Sequence, residues 1–482
     1  MMTDSEAAIR ERLRCHDQDH LLRFWPRLSE DERRGLIAQI ESIDFPLMDR
    51  LIDGWVLHKS LPKPFDRIET VPLITRAQCN GPEGQEATEA GEEALRSGRV
   101  GLFLVAGGQG TRLGFPGPKG AYPIGPVSQR PLFAFHAEKI HNLQGRYGCR
   151  LPWYIMLSET NEAETRAFFD ANGYFGLQQA DVRFCRQRMV PCVTPEGRFM
   201  LDDPGHIAMN PNGHGGSIPA MVECGILDDA RERGVDTLSY FQVDNWAARV
   251  ADPLFIGFHV SRHAEMSSKS QRRNDPNEAV GVHCLCDGEY RVIEYTEFET
   301  YPQMCKTADS GEIVYPAGNP AIHIVAVDFV KRVYDRYEEF PWHLAFKKIP
   351  YVDDQGDLVT PAHENGYKFE TFIFDALRFV NHPPVVLEIE RPGEYTPIKV
   401  YDGTNSVLRA WDVMAEYWAR WFEAAGCRVP RDGNGKVSVR IEVSPQFARS
   451  EEEFLRKTRG WSWPTGGDLA IDPNGGWIAS RK

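Results

Sequence analysis

Arg112 and Lys119 stand among glycines 107, 108, 110, 114, 117 and 120 in VAGGQGTRLGFPGPKG, residues 105–120. Glycine lets a backbone approach a ligand closely or take positive φ, at an entropic cost when the loop is ordered. Two fixed cations in so pliable a segment point to an anion, and a phosphate is well served by backbone N–H groups together with side-chain cations. Farther on, YFQVDN ends an apolar run with Asp244 and Asn245. That order sets a carboxylate at the carboxyl end of an expected parallel strand, where open α/β sheets bind ligands. A hard carboxylate beside substrate phosphates suits Mg²⁺ (or Mn²⁺), so Asp244 is the expected metal ligand. The plain alternative is an aspartate capping a helix.

Two familiar phosphate motifs fail on the letters. A dinucleotide fingerprint needs a third glycine where Leu113 stands, and no acidic residue closes a strand about twenty positions on. A P-loop needs G-K-[ST], whereas Lys119 lies between Pro118 and Gly120.

The elements that must hold these residues are legible as alternation. VGLFLVAGG, WYIMLS, TLSYFQVDN and AIHIVAVDF are strand-like, and ETRAFFDANG and VKRVYDRYEEF are helical, which predicts an α/β fold with a mixed, mostly parallel sheet covered by helices. Before it, SEAAIRERL and SEDERRGLIAQIESI predict a helical N-terminal region over 1–98, with Ser29 and Glu32 as a capping box. GPEGQEATEAGEEALRSGR is expected to be a polar connector. A core domain over 99–390 follows, and the Gly-, Pro- and Trp-rich remainder, 391–482, is expected to be a small β-rich C-terminal module.

The chain's 482 residues exceed one ordinary core, and its formal charge of −14 argues against nucleic acid and anionic membranes as partners. No apolar run nears the roughly 20 residues of a membrane helix. The charged start MMTDSEAAIRERL lacks the order of a signal peptide, and ten cysteines without a CxxC pair suit reduced thiols; a cytoplasmic protein is expected.

The run G-G-x-G-T-R-L-G followed by P-K-G resembles the signature of nucleotide-sugar pyrophosphorylases, and its extended form is similar to the eukaryotic-type UDP-N-acetylhexosamine pyrophosphorylases. The resemblance continues in the family's order through WYIMLSETNEAETRAFF, YFGL, NPNGHGG, FQVDN, ADPLFIGFH, VIEYTE, AGNPAIH, KKIPYVDDQG, ENGYKFETFIFD and EYTPIK, within residues 65–410. It implies a Rossmann-like nucleotidyltransferase core, and a uridylyltransferase joining UTP to an N-acetylhexosamine 1-phosphate, with UDP-sugar and pyrophosphate as products. It also implies that Gly107 and Gly108 lie against uracil and ribose, that Gln187 reads the uracil, and that Gly213 and Lys368 serve the nucleotide. Lys399 joins Arg112 and Lys119 as a catalytic cation. Glu294, Asn319 and Asn245 serve the sugar, with Phe372 and Phe374 lining its pocket.

Each assignment has a plainer reading: a lone lysine is solvent decoration, a glutamine among arginines is surface, and alternating aromatics on TFIFD are core. His214 in NPNGHGG departs from the family's asparagine; UDP-glucose pyrophosphorylases carry a histidine in a similar G-H-G setting. A histidine there can give phosphate a charge-assisted donor. Glucose 1-phosphate, or a broad set of sugar phosphates, is therefore the alternative substrate. An inactive UDP-sugar-binding regulator is the alternative of another class, against which the intact Arg112, Lys119, Asp244 and Lys399 argue.

Overall fold

The first segment, rich in charge but with Leu and Ile at helical spacing, folds as helices Asp4–Cys15, Glu30–Ser42 and Phe45–Leu51. The capping box is present: the Glu32 carboxylate accepts the Ser29 N–H at 2.7 Å while Ser29 Oγ accepts the Glu32 N–H at 3.3 Å. The structure, a computed structural model, describes residues 4–59, 63–464 and 467–478.

Packing gathers the chain into two units that are discontinuous in sequence. The smaller comprises residues 1–64, 187–216 and 338–375. Its core sets Leu13, Leu36, Ile40 and Phe45 against Phe199 and Phe369 from the later segments. The strand Gly366–Glu370 pairs antiparallel with His343–Lys347, and Met189–Pro191 pairs with Met209–Pro211.

The larger unit comprises 65–186, 217–337 and 376–482. Its 11-stranded sheet is mixed. Thr237–Gln242, Val100–Val105, Trp153–Leu157 and Val182–Arg186 form a parallel block, and Met266–Arg272 runs parallel to Val385–Ile389. Between the two parallel groups His323–Ala326 is antiparallel to both neighbours. The Val100–Val105 strand is apolar throughout because both of its faces are covered, so its carboxyl end emerges directly into the glycine loop.

Two expectations change. The polar connector is a helix, Pro82–Arg96, whose buried stripe is Gly84, Ala87, Gly91, Ala94 and Leu95. Its apolar face is built of small residues that carry little hydropathy. They allow backbone-to-backbone approach: a Cβ at Gly257 in the neighbouring helix Pro253–Ser261 would lie 1.5 Å from the Ala87 carbonyl oxygen. The C-terminal stretch carries more helix than strand: Val407–Ala424 and Glu451–Lys457 are helical, against the parallel pair Ile441–Val443 and Leu469–Ile471. Its aromatics recur at helical spacing, so Trp418, Trp421 and Phe422 bury one face of the long helix. Among the described residues no helix is long and apolar enough to cross a membrane.

Candidate active site

In the larger unit the glycine loop leaves the Val100–Val105 strand and passes through short helical turns at Thr111–Leu113 and Lys119–Ala121; the full helix starts only at Leu132. The loop folds back on itself, with the Gly110 N–H donating to Gly117 O at 2.8 Å and the Lys119 N–H to Gly108 O at 3.0 Å. A Cβ at Gly108 would meet only Lys119 Cε, at 3.8 Å, so packing within the chain does not require glycine there. Lys119 Nζ donates to Asp244 Oδ2 at 3.2 Å, with both side chains less than a fifth exposed. Arg112 is exposed, and among the described residues its guanidinium makes no ion pair.

Asp244 sits in the turn that follows the Thr237–Gln242 strand and caps no helix. Its carbonyl accepts the Ile398 N–H at 3.0 Å, which fixes the exposed Lys399 one residue from the aspartate's backbone. Asn245 is buried, and its amide is committed to backbone: Nδ2 donates to Glu394 O at 2.8 Å, and Oδ1 accepts the Thr396 N–H at 3.0 Å. It thus shapes the 394–399 loop instead of pointing at a sugar. The same loop is anchored by Lys269, wholly buried between Asp252, at 2.6 Å, and Glu394. Burial opposes the Lys269 charge, and the two carboxylates outweigh it, raising the ammonium above the usual range.

Glu294 and Asn319 meet at Gly281. The Asn319 N–H donates to Gly281 O at 2.8 Å, and a Cβ on Gly281 would lie 2.6 Å from Glu294 Oε1. Asn319 Oδ1 accepts the Ala321 N–H at 3.0 Å. Burial, and then the carboxylates of Asp244, Glu278 and Glu294, raise the Tyr395 phenol well above the usual range.

As for a metal, Asp244 offers one carboxylate, and no set of three or more His, Cys, Asp or Glu able to hold an ion occurs among the described residues. A divalent cation there would take its remaining ligands from substrate phosphate and water.

The other predicted residues belong to the smaller unit. Gln187, the first residue beyond the Val182–Arg186 strand, is buried, and Lys368 is half-buried on Gly366–Glu370. Gly213 takes φ +81°, and a Cβ there would strike Thr371 O at 2.4 Å, so backbone packing alone demands glycine. The Asn212–Gly215 turn is zipped to Thr371 by N–H···O bonds of 2.8 Å in both directions. Next to it His214 Nδ1 accepts the Ile373 N–H at 3.2 Å, which leaves the ring proton on Nε2. While that bond holds, the ring is a neutral imidazole, where the sequence suggested a charged one. Its ring stacks on Phe372 at 5.2 Å and meets Phe374 edge-on at 5.6 Å. These phenylalanines do not alternate on a strand: Ile373–Phe379 is a short helical segment, with Phe374 buried and Phe372 half-buried.

Two residues that sequence reasoning passed over brace the glycine loop. Ser158 Oγ donates to Gly107 O at 2.7 Å, and Asn161 Nδ2 donates to Ala106 O at 2.7 Å. The available signal was SETN directly after the apolar WYIML strand: polar residues at the carboxyl end of the strand next to the loop's own.

The chain is similar throughout its length to known proteins. UDP-N-acetylhexosamine pyrophosphorylase-like protein 1 of Xenopus tropicalis is 36% identical over 494 aligned positions, covering 96% of each chain. The UDP-N-acetylglucosamine pyrophosphorylase of Saccharomyces cerevisiae is 32% identical, over 91% of this chain and 94% of that one. Among solved structures, the Trypanosoma brucei uridine diphosphate N-acetylglucosamine pyrophosphorylase, determined with an inhibitor, aligns at a TM-score of 0.79 and 26% identity, over 98% of this chain and 99% of that one. Residues 66–415 match the UTP–glucose-1-phosphate uridylyltransferase family, to which this chain belongs.

Proposed function

We propose that this protein is a uridylyltransferase that makes UDP-N-acetylhexosamine, in the first place UDP-N-acetylglucosamine, and pyrophosphate from UTP and the N-acetylhexosamine 1-phosphate. The observation that carries the reading is the Lys119–Asp244 pair at the exit of the glycine loop, in a chain so extensively similar to pyrophosphorylases. A phosphate oxygen of the sugar 1-phosphate attacks the α-phosphorus of UTP, the new P–O bond forms in line with the one that breaks, and pyrophosphate leaves with the bonding pair. No protein nucleophile is required. The work is to hold two polyanions together and to stabilise charge gathering on the leaving group.

Arg112, Lys119 and Lys399 are assigned to that charge. Gly107 and Gly108 admit the nucleoside, Gln187 reads uracil through an amide that both donates and accepts, and Lys368 and Gly213 serve the nucleotide's phosphate side. Glu294 and Asn319 accept and donate to the sugar, with Phe372 and Phe374 as its apolar wall and His214 as a neutral donor beside it. Asp244 would hold Mg²⁺, which supplies Lewis-acid neutralisation of the phosphates when bound. The fully thiol state of the ten cysteines suits a reducing cytoplasm.

A second reading, use of glucose 1-phosphate, is favoured by His214 alone. The deciding experiment is pyrophosphate release from UTP across a panel of sugar 1-phosphates. The highest kcat/KM is expected with N-acetylglucosamine 1-phosphate; a preference for glucose 1-phosphate selects the second reading, and no release with any sugar leaves the UDP-sugar-binding regulator.

A further inference from the structure

A cleft in the larger unit is lined by Lys139 of the helix Leu132–Tyr147, by Trp246 and Arg249 of the segment beyond Asp244, by Trp418 and Trp421 of the long C-terminal helix, and by Arg449. None of the residues assigned above to substrate lines it, and neither does any aspartate or glutamate. Its interior of about 50 Å³ would take three or four water molecules, or one tetrahedral oxyanion, at the ~10–15 Å³ that a single water requires.

The polar atoms in this cleft are donors in excess. Trp246 is 4% exposed, and its indole N–H has no acceptor; the Nε–H of Arg249 is likewise buried without one. Lys139 Nζ donates to Trp246 O and, at 3.0 Å, to Ala248 O, both main-chain carbonyls, which leaves its third N–H over. Arg449 spends Nη2 on Val250 O at 2.8 Å. Each acid nearby already has a cationic partner. Glu394 is shared between Lys269 and Arg249, from which it lies 3.9 Å, and the Tyr417 hydroxyl also bonds Arg249; Asp252, whose charge reaches Arg249 and Arg449, is held by Lys269 at 2.6 Å, Glu138 is paired with Arg130 at 2.8 Å, and Glu453 with Lys457 at 2.9 Å. Burial, and then the neighbouring Arg449 charge, hold the Lys139 ammonium well below its usual range, and burial brings Arg449 down to about 10. Both are shifts that a bound anion would reverse. Buried donors without acceptors are costly, and a charge-assisted acceptor satisfies several of them at once.

We propose that this cleft is a second anion site, distinct from the substrate site, which binds a phosphate-sized oxyanion through Trp246, Arg249, Arg449 and Lys139. Crystals of the full chain soaked in sodium selenate should show an anomalous peak among these four side chains. In solution, orthophosphate should raise the melting temperature. Trp246→Phe, which keeps an aromatic ring and removes the N–H, should weaken that response about three- to tenfold, and Arg449→Met should abolish it. Lys119→Ala, altered only at the substrate site, should retain it. Should Arg449→Met fail to fold, the Trp246→Phe titration and the selenate map decide. The proposal is overturned if the cleft holds only water in the selenate map, or if the phosphate response is unchanged in Trp246→Phe and lost in Lys119→Ala.

Discussion

Replacing Lys119 by alanine should separate catalysis from folding. The Nζ–Oδ2 distance of 3.2 Å corresponds to about 5 kcal/mol of gross attraction at an effective dielectric of ~20. Partial exposure and side-chain ordering reduce an ion pair of this kind to about 1 kcal/mol or less of net stability, so urea denaturation should move little. The transition state is different. Charge gathers on the departing pyrophosphate, and an ammonium within a few ångströms of it, with the glycine loop already fixed by Ser158 and Asn161, should contribute about 3–4 kcal/mol there and less to the ground state. The expected outcome is a fall in kcat of about a hundred- to a thousandfold, with KM for UTP changed far less and with partial recovery in Lys119→Arg. Pyrophosphate-release kinetics read beside urea melts measure both quantities. A variant within threefold of the parent's kcat, or a loss of rate matched by a loss of folded protein, would refute the assignment.

Asp244→Asn keeps the shape and removes the charge, so activity should drop steeply and return only at raised Mg²⁺; an unchanged metal requirement would make Asp244 structural. His214→Asn can still accept the Ile373 N–H, so the fold should hold while the ratio of N-acetylglucosamine 1-phosphate to glucose 1-phosphate use shifts by about 1–3 kcal/mol; an unchanged ratio removes His214 from sugar selection. The exposed Cys224, whose thiol is lowered to about 6 by a hydrogen bond from Cys185, should be the first cysteine alkylated by iodoacetamide at pH 7, with a rate that levels off above neutrality; peptide mass spectrometry would show if another leads. Burial holds the imidazole of His259 at about 4 against 6.5 when free, so the unfolded chain takes up a proton that the folded one refuses. Stability from this group is full above pH 6.5 and is lost as pH falls towards 4, by about 3 kcal/mol, and melts of His259→Gln should show a shallower acid decline.

The glycine loop and Asp244 were legible because each is a contiguous run whose chemistry is written in adjacent letters. The strand before the glycine loop is apolar on both faces, and the one before Asp244 carries Leu238, Tyr240 and Phe241 among its six residues, patterns that predict burial without knowledge of neighbours. The Pro82–Arg96 helix was not legible, since glycine and alanine carry no apolar signal and its burial depends on a partner helix more than 150 residues later. Asn245 stands next to Asp244 in a motif, yet its amide is spent on a loop that begins at Glu394; adjacency in sequence does not say which way a side chain faces. Ser158 and Asn161 act on the glycine loop only because their strand pairs with Val100–Val105. Gln187, His214 and Lys368 fall in segments that fold with the N-terminal helices, and chain order alone gave no sign of it.

That last arrangement has a consequence for synthesis. The core around Leu13, Leu36 and Phe45 is closed in part by Phe369, so the first 64 residues wait for a segment that ends at residue 375. At ~5–20 residues per second a ribosome needs about 15–60 s to deliver it. Through that interval the nascent helices can pack on one another, while the part of their apolar face that Phe369 and its neighbours cover stays open. The larger unit faces a shorter wait for its central strands, Val100 to Gln242. Slowing translation downstream of residue 64 should therefore lower the yield of native protein more than the same delay placed after residue 375.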